Sequence, residues 1–259
     1  MGHIRLGQLP RTRKWQDVVG LITAGADAGQ LARATLTAAE ECLEIASKDQ
    51  GLIETVWLLT QLPLAARTDD FAGALRETGL DVPDDPTLLD ITGAFSEAVD
   101  RKVANGSRSD LGEMAEMAAL EAVSNAIRLR TDSIFGSTPD DVRAAFSGLA
   151  TERQFSKLAR DFFGRMSNRC LGYFLSTELP NHIGEGKRFA TLAQKTGFSK
   201  ALETHCEEAS LIVETFSGGW FKKTNWLKGG ISRKAAAGYI HVAMSKLLAE
   251  FQQGAQEDD

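Results

Sequence analysis

Residues 152–175, ERQFSKLARDFFGRMSNRCLGYFL, decide the fold class of this protein. The apolar side chains of this stretch recur at steps of three and four residues: Phe155, Leu158, Phe162, Met166, Cys170 and Tyr173 or Phe174. This spacing places them on one side of an α-helix. We therefore predict a long amphipathic helix that begins at Glu152 and runs toward Leu179.

The same helical period extends outward from this stretch in both directions. Helices are predicted at residues 87–104, 109–130, 198–217 and 232–252, among others. Aromatic residues make up only 7% of the chain, and no segment shows the sustained alternation of apolar and polar residues that is typical of a half-buried strand. We therefore predict an all-α fold, a compact array of about ten helices with no significant β-sheet.

Polar and glycine residues at fixed places predict where several helices begin and end. Asp27 and Ser232 are expected N-caps, and Pro139 is expected near the first position of its helix. Gly79 closes a helix, because glycine tolerates the left-handed conformation that follows a helix end. Pro63 is expected to end or kink an apolar helix.

Length and composition predict one helical domain. The 259 residues are 43% hydrophobic and 25% charged, which is enough to bury one sizeable core or two small ones. Only 6 prolines occur, and no linker divides the chain, so we predict a single domain over 1–259, with two lobes, 1–134 and 135–259, as the possible subdivision. Leu43, Phe162 and Leu247 are expected to be buried.

The charge distribution argues against a protein that only coats nucleic acid. The net charge is −6, and residues 1–130 hold 13 Lys and Arg against 20 Asp and Glu. Proteins that coat nucleic acid are usually basic overall. The acidic excess belongs to the first half of the chain, so any basic surface must be local.

Other features predict a cytoplasmic protein without a membrane segment. No apolar run approaches the roughly 18 residues that a membrane-spanning helix needs, and the N-terminus lacks the apolar core of a signal peptide. The three widely spaced cysteines, Cys42, Cys170 and Cys206, are typical of reduced thiols in a cytosol.

The most unusual stretch lies near the C-terminus, where no acidic residue occurs between Glu214 and Glu250. Residues 217–230, SGGWFKKTNWLKGG, are interpreted as a loop interrupted by glycines. The predicted partner-binding residues of this region combine positive charge with aromatic rings: Trp220, Phe221, Lys222, Lys223, Trp226, Lys228, Arg233 and Lys234. Phosphates or an acidic protein surface could meet such a patch. The alternative is that the tryptophans fold back onto the core and the lysines are merely solvated.

The N-terminal residues form a shorter stretch that is also basic and free of acidic residues. Arg11, Arg13 and Lys14 precede the first acidic residue, Asp17, together with Arg5. A basic arm of this kind could bind phosphate or an acidic protein, so these three residues complete the predicted partner-binding set. In the alternative, Pro10 and Trp15 start and anchor the first helix.

No pattern predicts a cofactor, a metal site or a known catalytic group. Glycine-rich phosphate loops and nucleophile motifs are absent, and His182 and His205 lack the spacing of metal-binding pairs. A helical nuclease would need an arginine and a histidine close together on one helix, and the nearest pair is Arg233 and His241.

We therefore expect a non-catalytic binding or assembly subunit of a larger bacterial complex, with a protein partner. It would present basic N- and C-terminal segments on an acidic body. The second hypothesis is a nucleic-acid-binding protein that uses the basic, aromatic C-terminal region. A helical nuclease is the third.

Overall fold

The structure is a computed structural model that describes residues 13–39, 46–104, 108–131 and 138–253. Its α-helices are, in chain order, α1 (Arg13–Ala24), α2 (Ala28–Ala38), α3 (Gln50–Ala65), α4 (Phe71–Glu77), α5 (Leu88–Ala104), α6 (Asp110–Arg128), α7 (Pro139–Leu149), α8 (Glu152–Leu175), α9 (Leu192–Ala209), α10 (Leu211–Lys228) and α11 (Arg233–Gln253). Short 3-10 helices cover Ala46–Lys48 and Leu179–His182. Within the described ranges there is no strand beyond one isolated bridge, so the predicted all-α fold is confirmed.

The predicted helix ends are confirmed by hydrogen bonds, by the position of Pro139 and by the backbone angle of Gly79. The Asp27 side chain accepts from a backbone N–H in the first turn of α2, and Pro139 is the first residue of α7. Gly79 follows α4 with φ of 92°. The Ser232 hydroxyl accepts from the backbone N–H of Ala235 in the first turn of α11. Local polar groups therefore fix the lengths of these helices.

Helix α3 lies at the centre of the molecule, with every residue from Gly51 to Thr60 buried. It packs against α4, α5, α6, α7 and α11, and a predominantly apolar helix is typical of such a position. Pro63 lies inside α3, which ends two residues later at Ala65.

Helix α8 carries the predicted apolar stripe and packs against α2, α6, α7, α9 and α10. Phe155, Leu158, Phe162, Met166 and Cys170 are all buried, which confirms the stripe. The helix ends at Leu175, short of the predicted Leu179, where a 3-10 helix begins.

The buried side chains form one hydrophobic cluster that runs from Trp15 to Phe251. This cluster draws on both predicted lobes, 1–134 and 135–259. Leu247 lies in it as predicted, while Leu43 falls outside the described residues.

The predicted loop at 217–230 is wrong, because most of this stretch belongs to α10. The helix predicted at 198–217 is likewise replaced by two helices, α9 and α10, which meet at Ser210. Gly218 explains the error: a Cβ there would lie 2.2 Å from the carbonyl oxygen of Glu152. Glycine occurs at this position because α8 and α10 approach closely, and it does not break the helix.

Candidate partner-binding surface

Helices α10 and α11 form a hairpin whose turn is fixed to the central helix. Gly229 and Gly230 adopt φ of 64° and 141°, values that favour glycine and turn the chain sharply. The indole N–H of Trp57, in α3, donates to the carbonyl oxygen of Ile231 at 2.8 Å. The turn is therefore held by the core of the molecule.

Arg233 supplies a second attachment of the hairpin to α3. Its guanidinium donates to both carboxylate oxygens of Glu54, at 2.5 and 2.6 Å, and lies over the Trp57 ring at 3.5 Å from the centroid. The Glu54 side chain is only 4% exposed. Arg233 therefore neutralises a buried carboxylate, and because its side chain is still 42% exposed, its role in binding a partner stays a prediction.

The hairpin encloses a groove of about 400 Å3 between its two helices. Phe216, Trp220 and Tyr239 line it, and the Trp220 ring stacks on the Tyr239 ring with centroids 4.1 Å apart. The Tyr239 hydroxyl shares a buried hydrogen bond with Ser217 at 2.5 Å. Aromatic side chains held in place by stacking and hydrogen bonding give the groove a rigid apolar floor.

Lysine side chains surround this floor. Lys228 and Lys234 line the groove, and the Lys246 ammonium lies 5.7 Å from the centroid of the Phe216 ring. None of these lysines has a carboxylate partner among the residues that the structure describes. The groove therefore combines an apolar floor with an uncompensated positive rim.

Two large apolar side chains near the C-terminal end of α10 face solvent, on different sides of the helix. Trp226 is 84% exposed and Leu227 is 65% exposed, both in the last turns of α10. Phe216, Trp220, Lys223 and Leu227 recur at helical spacing, so they share one side of α10. Trp226 lies four residues after Lys222 and so shares another side of the helix with it. Exposed apolar side chains beside a groove, such as Leu227, mark interaction sites.

The remaining predicted residues of α10 lie in different environments, some exposed and one buried. Lys222 and Lys223 are exposed, and the Lys222 ammonium lies 3.8 Å from the Glu152 carboxylate, away from the groove. Phe221 is buried, with its ring stacked 4.0 Å from that of Phe155, so its inclusion in a surface is wrong. A helix directs neighbouring residues to different sides, which is why Phe221 and Lys222 diverge.

The predicted N-terminal arm is only partly described. Arg13 and Lys14 are exposed in the first turn of α1, and Lys14 donates to the carbonyl oxygen of Thr37 at 3.5 Å. Trp15 is buried and anchors the helix, as in the alternative interpretation. Arg11 lies outside the described residues.

The described residues contain no group of three or more His, Cys, Asp or Glu side chains that could hold a metal ion. His205 packs against the Phe251 ring, with centroids 5.4 Å apart. No helix in the described ranges is long and apolar enough to cross a bilayer.

The buried thiols should be unreactive in the folded protein. Burial raises the pKa of Cys170 to about 12, and burial together with nearby carboxylates also raises the pKa of Cys206. Only the thiolate is nucleophilic, so we expect neither residue to be alkylated at pH 8 until the protein unfolds. Peptide mapping after iodoacetamide treatment checks this. Rapid native-state modification of either residue would contradict it.

No protein-family model matches this sequence, and no curated protein or solved structure is similar to it. The function must therefore be argued from the groove itself.

Proposed function

We propose that this protein is a non-catalytic binding subunit whose α10–α11 groove takes an acidic amphipathic helix of a partner protein. The observation that carries the proposal is the combination of an aromatic floor, a lysine rim and the exposed Leu227 on one hairpin.

The shape and chemistry of the groove favour a helix as the occupant. Amphipathic helices bind by laying an apolar face into a groove between elements of the receptor. Leu227 extends the apolar surface beyond the groove, and binding would remove it from water. Aromatic side chains such as Trp220, which lines the groove, often supply a large share of binding energy in protein interfaces.

The charge around the groove favours an acidic partner. The sequence holds no Asp or Glu from Thr215 to Ala249, so any compensating carboxylate must come from outside this interval. Glu54 and Glu152 come from other helices, but they pair with Arg233 and Lys222. Lys228 and Lys234 therefore remain free to meet carboxylates of a partner, which would also steer the encounter.

Nucleic acid is the second candidate, because the exposed Trp226 ring could stack on an unpaired base. The aromatic rings inside the groove favour a protein partner instead, because they are less available for stacking on bases. Trp220 already stacks on Tyr239, so one face of its ring is covered. The acidic Glu152 beside Lys222 would also repel phosphate.

A labelled model peptide tests the proposed chemistry directly. The probe is a synthetic amphipathic helix with leucines on one face and glutamates on the other, and its binding is followed by fluorescence anisotropy. We expect saturable binding that Leu227→Ala weakens by about tenfold, the effect of losing an apolar contact worth about 1.4 kcal/mol. The double change Lys228→Glu with Lys234→Glu should also weaken binding, and added salt should do the same to the parent.

Matched variants separate the groove from the general surface. Leu192→Ala removes the side chain of another exposed leucine, and Lys222→Glu reverses the charge of one lysine on the other side of α10, so both should bind like the parent. All variants should keep the parent's stability to within about 0.5 kcal/mol. Equal binding of a peptide with lysines in place of glutamates would refute the acidic partner. Tighter binding of a single-stranded oligonucleotide would favour the nucleic-acid function instead.

A further inference from the structure

A second groove, of about 590 Å3, lies where the C-terminal part of α6 meets α8 and the junction between α9 and α10. Its walls share no residue with the α10–α11 groove. It is lined by polar and charged side chains as well as leucines. The charged side chains that have no ion-pair partner are the ones that could bind a ligand.

Arg130 lies half-buried at one end of this groove. Its guanidinium donates to the carbonyl oxygen of Ala126 at 2.6 Å and to the side-chain oxygen of Gln154, both neutral acceptors. No carboxylate of the described residues pairs with it, and burial lowers the pKa of the guanidinium from its ordinary value. An arginine side chain carries five N–H donors, so donors remain for another acceptor.

Lys157 stands on the same wall, one helical turn after Gln154, and is exposed without a carboxylate partner among the described residues. Gln154 therefore has a positioning role, because it holds the guanidinium of Arg130 on the side of the groove that Lys157 also lines.

The other charges of the groove are already matched. Arg160 pairs with Glu214 at 3.1 Å, and Asp161 pairs with Arg165 at 2.8 Å. Among the described residues these contacts leave Arg130 and Lys157 as the two cations of the groove without an anion. Arg130 meets only neutral acceptors, so its remaining N–H donors would bind an anion more strongly than a neutral group.

We propose that this groove is a small-molecule binding site that holds one carboxylate or phosphate group of its ligand between Arg130 and Lys157. The guanidinium would donate charge-assisted hydrogen bonds to the anion, and the ammonium would add a second positive contact. The ligand carries a single anionic group, because Glu207 at the other end of the groove has no cation partner among the described residues and would repel a second anion.

The test uses inorganic phosphate and acetate as probes, titrated at constant ionic strength against chloride. Signals of the arginine side-chain N–H groups are followed by nuclear magnetic resonance in the full chain. We expect the Arg130 signal to shift saturably with one of the two anions, which identifies the anionic group of the ligand. Lys157→Gln should weaken that binding by about tenfold, the usual effect of losing one charged contact.

Arg153→Gln is the matched control, because Arg153 is exposed on α8 but does not line the groove. It should leave the titration unchanged. A linear, non-saturating response, or equal loss of affinity in both variants, would overturn the proposal and show only general surface charge. Arg130→Lys keeps the charge but loses the planar fork, so weaker binding in this folded variant gives an independent check. The outcome does not depend on the α10–α11 groove.

Discussion

Replacement of Arg233 by Met is expected to lower the free energy of unfolding by about 3 kcal/mol, as measured by urea denaturation. The change would leave the Glu54 carboxylate buried in α3 without its cation and would remove the guanidinium from the Trp57 ring. The expected loss lies at the lower end for a broken buried ion pair, because the Arg233 side chain is itself 42% exposed.

The neighbouring Lys234 provides the control, since Lys234→Met makes the same charge change at an exposed position. It should shift the unfolding free energy by no more than about 0.5 kcal/mol. Adding Glu54→Gln to Arg233→Met should recover part of the loss, because it removes the unpaired charge. If Arg233→Met and Lys234→Met have the same stability, the ion pair does not hold the hairpin.

Replacement of Gly218 by Ala is expected to cost about 3 kcal/mol, at the upper end for overpacking a close contact. The new methyl group would lie 2.2 Å from the Glu152 carbonyl oxygen, so α8 and α10 would have to separate. The hydrogen bond from the Gly218 N–H to the Ser156 hydroxyl, 2.9 Å long, would be strained by that movement. The thermal midpoint and the urea midpoint should both fall.

The adjacent Gly219 should respond in the opposite direction. A Cβ there would meet only a Glu152 carboxylate oxygen at 3.8 Å, which is an ordinary contact. Alanine favours helix over glycine by about 0.8–1 kcal/mol, so Gly219→Ala should stabilise the protein. Destabilisation of similar size by both substitutions would mean that helix α10 does not pass α8 as closely as described.

Together these contacts anchor both helices of the α10–α11 groove to the rest of the molecule. Gly218 lets α10 lie against α8, and Arg233 fixes the start of α11 to α3. A groove formed by anchored helices loses little conformational freedom on binding, which favours affinity. Variants at either anchor should therefore disturb binding through stability, and they are unsuited to mapping the surface.

Sequence patterns located most helices because the interactions behind them are local. The spacing of Phe155, Leu158 and Phe162 follows from the helical repeat alone. Asp27 caps its helix through an N–H only three residues away. The prediction of a loop at 217–230 failed because a glycine can either interrupt a helix or let two helices pack closely, and the sequence does not distinguish the two. Gly218 lets α10 pack closely against α8.

The candidate surface was located only approximately from the sequence. The absence of acids from Thr215 to Ala249 and the aromatic residues within that interval indicated the region in which the proposed groove lies. Phe216 and Tyr239, which complete the groove floor, were missed. Once the stretch is recognised as a helix, its sequence predicts one shared side that holds Phe216, Trp220, Lys223 and Leu227.

The sequence by itself determined the all-α class, many helix ends and the segregation of positive charge, since each depends on residues within a few positions of one another. Only the tertiary structure decided which cations are free. Arg233 meets Glu54, 179 residues away, while Lys228 and Lys234 meet no acid in the described parts of the chain. Arg130 and Lys157 share a groove because α6 and α8 pack together. Such pairings depend on how distant helices pack, and helical periodicity carries no information about the partner that a side chain will meet.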